Sequence, residues 1–167
     1  GSVVLLNRCL QSIGMEGGER EVSRLELPDD FKRFLADAWG ITTLPPPQAQ
    51  AVPALMAGRN TLVAIPTASG KSLLAYMSMV KRLSEGHERS KAIYIVPLKA
   101  LAMEKYDELS ELGKALNFSV GLGIGDATSE AKNIKDCNIL VCTSEKLDSL
   151  LRHDAGPFPW PNRASAR

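Results

Sequence analysis

The chain has 167 residues, a formal net charge of +1, and 44% hydrophobic and 23% charged residues. That length and composition suit one ordinary globular domain with a real core, and the small net charge excludes a strong global field that would draw in nucleic acid. Three cysteines (Cys9, Cys137, Cys142) without a Cys-x-x-Cys pair, and two histidines (His87, His153), argue against a zinc site.

Gly1-Ser2 reads as a cloning scar, and residues 3 to 24 have no clear period, so 1–24 is expected to be an irregular leader with Met15 as a candidate natural start. Val3 to Leu6 is too short for a signal-peptide core, and no apolar run approaches the roughly 18 residues of a membrane span. A cytoplasmic, reducing setting is expected. Leu27-Pro28-Asp29-Asp30 opens a helix whose apolar face is Phe31, Phe34, Leu35 and Trp39, with Gly40 as its stop. Pro45-Pro46-Pro47 is a stiff connector. Gln48 to Met56 reads as a helix that Pro53 should weaken.

From Asn60 the pattern alternates. Strands are expected at Thr61–Ile65, Ala92–Val96, Val120–Ile124 and Ile139–Cys142. Helices are expected at Lys71–Ser84 and Ala100–Leu116, with a shorter one after Thr143. Alternating strands and helices predict an α/β fold, a parallel sheet with helices on both faces. In such sheets, ligands gather at the carboxyl ends of the strands. After Leu151 the pattern fails. Residues 154–167, with Pro157, Pro159 and Pro161, form a tail without a core-forming face.

Ala64 to Ser72 reads Ala-Ile-Pro-Thr-Ala-Ser-Gly-Lys-Ser. Its end, Gly70-Lys71-Ser72, has the form of a phosphate-binding P-loop, and strand, loop and helix follow in the order the motif requires. Such a loop aims backbone N–H groups and a helix N-terminus at phosphate. Lys71 would supply a point charge for the β- and γ-phosphates, and the Ser72 hydroxyl would ligate Mg²⁺. The plain alternative is a capped surface helix. Upstream, the Gln48 side chain carries an amide donor beside a carbonyl acceptor, which complements the N6 and N7 edge of adenine. A glutamine at a helix start is otherwise simply solvated.

Three further segments follow strands: Pro97-Leu98-Lys99-Ala100-Leu101-Ala102, Gly125-Asp126, and Thr143-Ser144-Glu145-Lys146. With the Gln48 and P-loop segments, in this order and spacing, they resemble the first motor domain of superfamily 2 helicases. The likeness is nearest to the archaeal DNA repair helicases related to the helicase part of DNA polymerase theta, and it runs from about Leu25 to His153. It implies a RecA-like P-loop NTPase domain, here truncated, as the N-terminal part of an ATP-dependent helicase that moves along single-stranded or forked DNA with ATP and Mg²⁺.

The resemblance also implies roles. Gln48 is similar to the adenine-reading glutamine. Thr67, Ala68, Ser69, Gly70, Lys71 and Ser72 match the ATP phosphate loop, with Lys71 and Ser72 as its catalytic members. Pro97, Leu98, Lys99 and Ala100 match the segment that grips the tracked strand, and Gly125-Asp126 a second such segment. Thr143, Ser144 and Lys146 belong to a third. For that last one the hydroxyls and N–H groups can cap a helix or hold a phosphate, and Lys99 alone reads as a solvated lysine.

The family pattern continues with a strand ending in Asp-Glu-x-His, whose acids hold Mg²⁺ and activate water. No such motif follows His153, and Asp107-Glu108 falls in an expected helix. The resemblance therefore implies that these residues alone bind nucleotide and DNA weakly, with negligible turnover. It also implies an exposed sheet edge that invites self-association. Three other readings are a P-loop small-molecule kinase, a non-catalytic nucleotide-binding or interaction module, and an RNA helicase of the same superfamily.

Overall fold

The computed structural model describes residues 18–65, 70–86, 90–124, 134 and 136–152. They belong to two units, Gly1–Glu88 and Arg89–Arg167.

In the first unit, strand β1 (Arg20–Glu21) pairs antiparallel with β2 (Thr43–Leu44), Arg20 opposite Leu44. The Val22 amide extends the pairing to the Thr42 carbonyl at 2.9 Å. Val22 and Leu44 are buried beneath this ribbon. Between the strands lies α1 (Asp29–Asp37), with Asp29 and Asp30 in its first turn and Phe31 and Leu35 buried. Acids at that end complement the helix dipole. The ammonium of Lys32 stands 2.9 Å from Asp29 and holds its carboxyl below the usual carboxylate range.

Helix α2 (Pro46–Met56) starts on two prolines and keeps Pro53 in its interior. Pro53 does not stop it. The proline is exposed, its own carbonyl accepts from the Ala57 amide at 3.1 Å, and Gln48, Ala49, Val52 and Leu55 are buried. Packing of that face on α3 (Lys71–Ser84) outweighs the missing N–H. Helix α3 buries Leu73, Leu74, Tyr76, Met77 and Val80. The Trp39 ring lies 6.0 Å from that of Tyr76 and 4.9 Å, edge-on, from that of Phe34.

Thr61–Ile65 is not the strand its composition predicts. No ladder includes it among the described residues, and Leu62 is 43% exposed. Apolar, β-branched residues suit a sheet, but a strand also needs a neighbour's N–H and C=O groups.

The second unit holds a three-stranded sheet of β3 (Ala92–Val96), β4 (Val120–Gly123) and β5 (Ile139–Thr143), ordered β3-β5-β4. All pairing is parallel, with Ala92 and Val120 both opposite Ile139. Helix α4 (Lys99–Leu116) joins β3 to β4, and α5 (Ser144–Arg152) follows β5. The helices cover opposite faces, as expected. Leu147 and Leu150 of α5 pack with Ile93, Leu140 and Cys142. On the other face, Val120 Cγ2 stands against Gly113 of α4, in line with Ile139 across the ladder.

Gly113 is required where it stands. A Cβ there would lie 2.5 Å from the Phe118 carbonyl oxygen, because the chain turns back at once through Asn117 at φ 58°, with Phe118 N donating to Gly113 O at 2.8 Å. Every residue of β5 is buried, as suits a central parallel strand.

Burial pushes the Cys142 thiol up to about 11, and Cys137 beside it also rises. The folded thiol keeps its proton where an unfolded one, near 9.0, has lost it. Stability is therefore fully present below pH 9 and declines as the pH rises towards 11. Urea midpoints across that range should fall further for the unmutated chain than for Cys142→Ala. Parallel curves would show that the thiol is not held out of water.

Candidate nucleotide and nucleic-acid sites

Helices α3, α4 and α5 each carry a lysine in the first turn. Helices α3 and α4 have no acid in the first turn and begin on Lys71 and Lys99. Helix α5 carries Lys146 within its first turn, beside Glu145. A cation at the positive end of a helix is disfavoured by roughly 0.3–1 kcal/mol. Packing gives no return for Lys99, which is exposed. Each of these ends is suited to an anion.

In the first unit, Gly70 caps α3 at φ 70°, ψ 30°, a left-handed conformation, and no side chain caps the helix. Glycine is needed there twice over. The backbone angle disfavours any Cβ, and a Cβ would overlap Nε2 of Gln48, with its Cδ at 3.2 Å. Gln48 is only 6% exposed. The fold thus lays the candidate adenine reader against the glycine of the phosphate loop. The Lys71 ammonium donates to the Ile65 carbonyl at 2.6 Å, tying the helix start back to the residue that precedes the loop. Ser72 follows, partly buried. Gln48, Gly70, Lys71 and Ser72 therefore come together, while Thr67, Ala68 and Ser69 lie outside the described residues.

In the second unit, β3 and β5 end on the same rung, Val96 opposite Thr143. The segments that leave them start one strand spacing apart, about 4.8 Å. Pro97, Leu98, Lys99 and Ala100 are all exposed, and Leu98 caps α4 in an extended conformation without a side-chain hydrogen bond. Thr143 is 2% exposed, and its Oγ1 accepts from the Lys146 amide at 3.4 Å. Thr143 is thus the helix cap, and Ser144 is the exposed hydroxyl. Gly125 and Asp126 lie outside the described residues. One neighbour of Lys146 was not singled out from the sequence: Gly123, where a Cβ would sit 3.3 Å from Lys146 Cγ. A glycine inside a strand was the available signal.

Asp107 and Glu108 lie within α4, and Glu108 accepts from Lys105 at 2.8 Å, so neither stands at a strand end. Among the described residues no three His, Cys, Asp or Glu side chains gather to hold a metal, and no helix is long and apolar enough to cross a membrane.

Known proteins place the chain more narrowly. It is 49% identical to the ATP-dependent DNA helicase Hel308 of Methanocella arvoryzae over 140 residues, covering 81% of this chain and 18% of that one. It is 42% identical to the protein of the same name from Pyrococcus horikoshii over 134 residues, 80% of this chain and 18% of that one. The chain thus spans under a fifth of the length of these curated relatives. Among solved structures, the DUF1998 helicase MrfA bound to DNA and AMPPNP superposes with a TM-score of 0.66 at 25% identity, over 81% of this chain and 19% of that one. The family model for DEAD/DEAH box helicases matches residues 45–160, from the start of the Gln48 helix through both sets of helix N-termini, and the chain belongs to that family.

Proposed function

We propose that the chain is the ATP-binding part of an ATP-dependent DNA helicase that translocates on single-stranded or forked DNA in repair or replication restart, in a cytoplasmic setting. The observation that carries this reading is the start of α3, where a left-handed Gly70, with no space for a side chain, lies against Gln48 and leads into Lys71 with no acid in the turn. That arrangement suits a triphosphate. Gln48 reads the adenine edge, the loop through Thr67, Ala68, Ser69 and Gly70 cradles phosphate, and Lys71 neutralises its charge. Ser72 ligates Mg²⁺, which, when bound, draws charge from the phosphate oxygens.

The paired helix starts at Pro97–Ala100 and Ser144–Lys146 fit a sugar-phosphate backbone, with Gly125-Asp126 as a third contact. Such contacts position a strand without reading its sequence. DNA is preferred to RNA because the relatives at 42–49% identity are named as DNA helicases.

Without an Asp-Glu-x-His segment, these 167 residues hold nucleotide and strand but lack the acids that activate water. Phosphate release, with and without single-stranded DNA, should fall at least about a hundredfold below that of a relative of full length, since removing single catalytic groups already costs about that much. Turnover equal to the full-length relative, and lost in Lys71→Ala, would overturn the inactivity. DNA and RNA strands of one sequence, set in competition, test the choice of strand. Among the described residues β3 lies at an edge of its sheet with Ile95 50% exposed, and association through that edge is part of the proposal. Sedimentation as a monomer over a wide concentration range would refute it.

A further inference from the structure

Gly123 ends β4, where a glycine costs the strand conformational entropy and gives no packing in return. An ideal Cβ at this position would stand 3.3 Å from Cys142 Cβ, 3.3 Å from Lys146 Cγ and 3.7 Å from Ile134 Cδ1. Two of these neighbours are fixed. Cys142 is the ladder partner of Gly123, lies on the central strand between β3 and β4, and is 0% exposed. Ile134 is 1% exposed within the same apolar cluster. The third, the four-carbon stem of Lys146, is the one able to move.

The Lys146 amide donates to the Thr143 cap. The residue is a cation in the first turn of a helix, where the dipole opposes it. The cap holds the lysine at its backbone, and the side-chain-free position of Gly123 gives its stem room beside the end of β4.

We infer that Gly123 is a positioning residue for DNA binding: its missing side chain is the slot that sets the path of Lys146, and so the place of the ammonium that meets a backbone phosphate. The inference rests on the proposed DNA contact of Lys146. Alanine at position 123 would push the stem aside by a few tenths of an ångström, because the other tight neighbour, Cys142 Cβ, belongs to the buried central strand, while Ile134 stands at ordinary contact distance.

The test compares the unmutated chain, Gly123→Ala, Lys146→Ala and the double variant. Each is titrated with a labelled oligothymidylate by fluorescence anisotropy at several salt concentrations, and thermal unfolding is followed in parallel. Lys146→Ala should weaken binding and reduce the slope of log affinity against log salt by about 0.7, the share of one phosphate on a single strand. Gly123→Ala should weaken binding at least about threefold and reduce the slope in the same sense. Its melting temperature should fall by no more than a few degrees, since the gain from alanine's smaller loss of chain entropy is set against the 3.3 Å contact of the new Cβ with Cys142 Cβ. The double variant should bind no more weakly than Lys146→Ala.

If Gly123→Ala binds like the unmutated chain while Lys146→Ala does not, the inference fails and the DNA contact stands. If the two losses add in the double variant, Gly123 acts by some route other than Lys146 and the inference fails. If the unmutated chain binds no DNA, or Lys146→Ala leaves binding unchanged, the proposed contact fails with it.

Discussion

Lys71→Ala is expected to weaken binding of Mg²⁺-ATP about a hundredfold while leaving the fold almost unchanged. The ammonium is the one cation the loop offers at the start of α3. Charge-assisted hydrogen bonds to phosphate are worth about 1.5–3 kcal/mol each, and about 2.7 kcal/mol corresponds to two decades of affinity. On the stability side, the variant loses the hydrogen bond to the Ile65 carbonyl, about 1 kcal/mol. It also loses a cation at the positive end of α3, which returns roughly 0.3–1 kcal/mol. Calorimetric titration with Mg²⁺-ATP, beside a thermal melt, separates the two effects. Unchanged affinity would remove Lys71 from the nucleotide site. A collapse of the melt would make it a structural residue instead.

The second large effect is expected at Gly70. Alanine there must adopt φ 70°, at about 1–2 kcal/mol, and its Cβ must also displace the Gln48 amide. Overpacking of this kind costs about 1–3 kcal/mol. Gly70→Ala should therefore destabilise the first unit by about 3 kcal/mol in urea unfolding. The two costs can be told apart. Gln48→Ala in the same background should restore the overpacking part, a coupling of about 1–2 kcal/mol, and leave the backbone part in place. Additive losses would mean that Gln48 does not lie against the loop. Gln48→Ala alone should bind ATP more weakly but keep its affinity for inorganic triphosphate, which has no adenine to read.

Periodicity made α1, α3 and α4 readable. Of the expected α1 face, Phe31 and Leu35 are buried while Phe34 and Trp39 are only partly so, and α3 buries Leu73, Met77 and Val80 at the helical spacing together with Leu74 and Tyr76. β3 and β5 were readable as short apolar runs, and β5 is indeed buried along its whole length. The ribbon of β1 and β2 was not, because two residues a side are too few to display a period of two. Thr61–Ile65 shows the converse error, in which the composition of a strand was taken for a strand. The helix expected at Gln48–Met56 is present with Pro53 inside it, and it begins two residues earlier, on Pro46 and Pro47.

In the sites, the loop and its lysine could be read from their neighbours in sequence. The seating of Gln48 on Gly70, the pairing of Val96 with Thr143 and the Lys146 stem over Gly123 join residues far apart along the chain. Only the folded backbone brings them together.

The order β3-β5-β4 also bears on how the second unit comes into being. β3 and β4 are made first, yet neither pairs with the other. Among the described residues each pairs with β5, the last of the three strands to be synthesised. At roughly 5–20 residues per second, a ribosome takes seconds to pass from β3 to β5. Until β5 emerges, the apolar Ile93-Tyr94-Ile95-Val96 run has no strand of this sheet to join. α4 forms within its own stretch of chain, but the sheet must close a long loop before any ladder bond forms, and non-local pairing of this sort folds slowly. A nascent chain whose β5 is still inside the tunnel would be a ligand for chaperones, and one whose β5 has emerged can close its sheet.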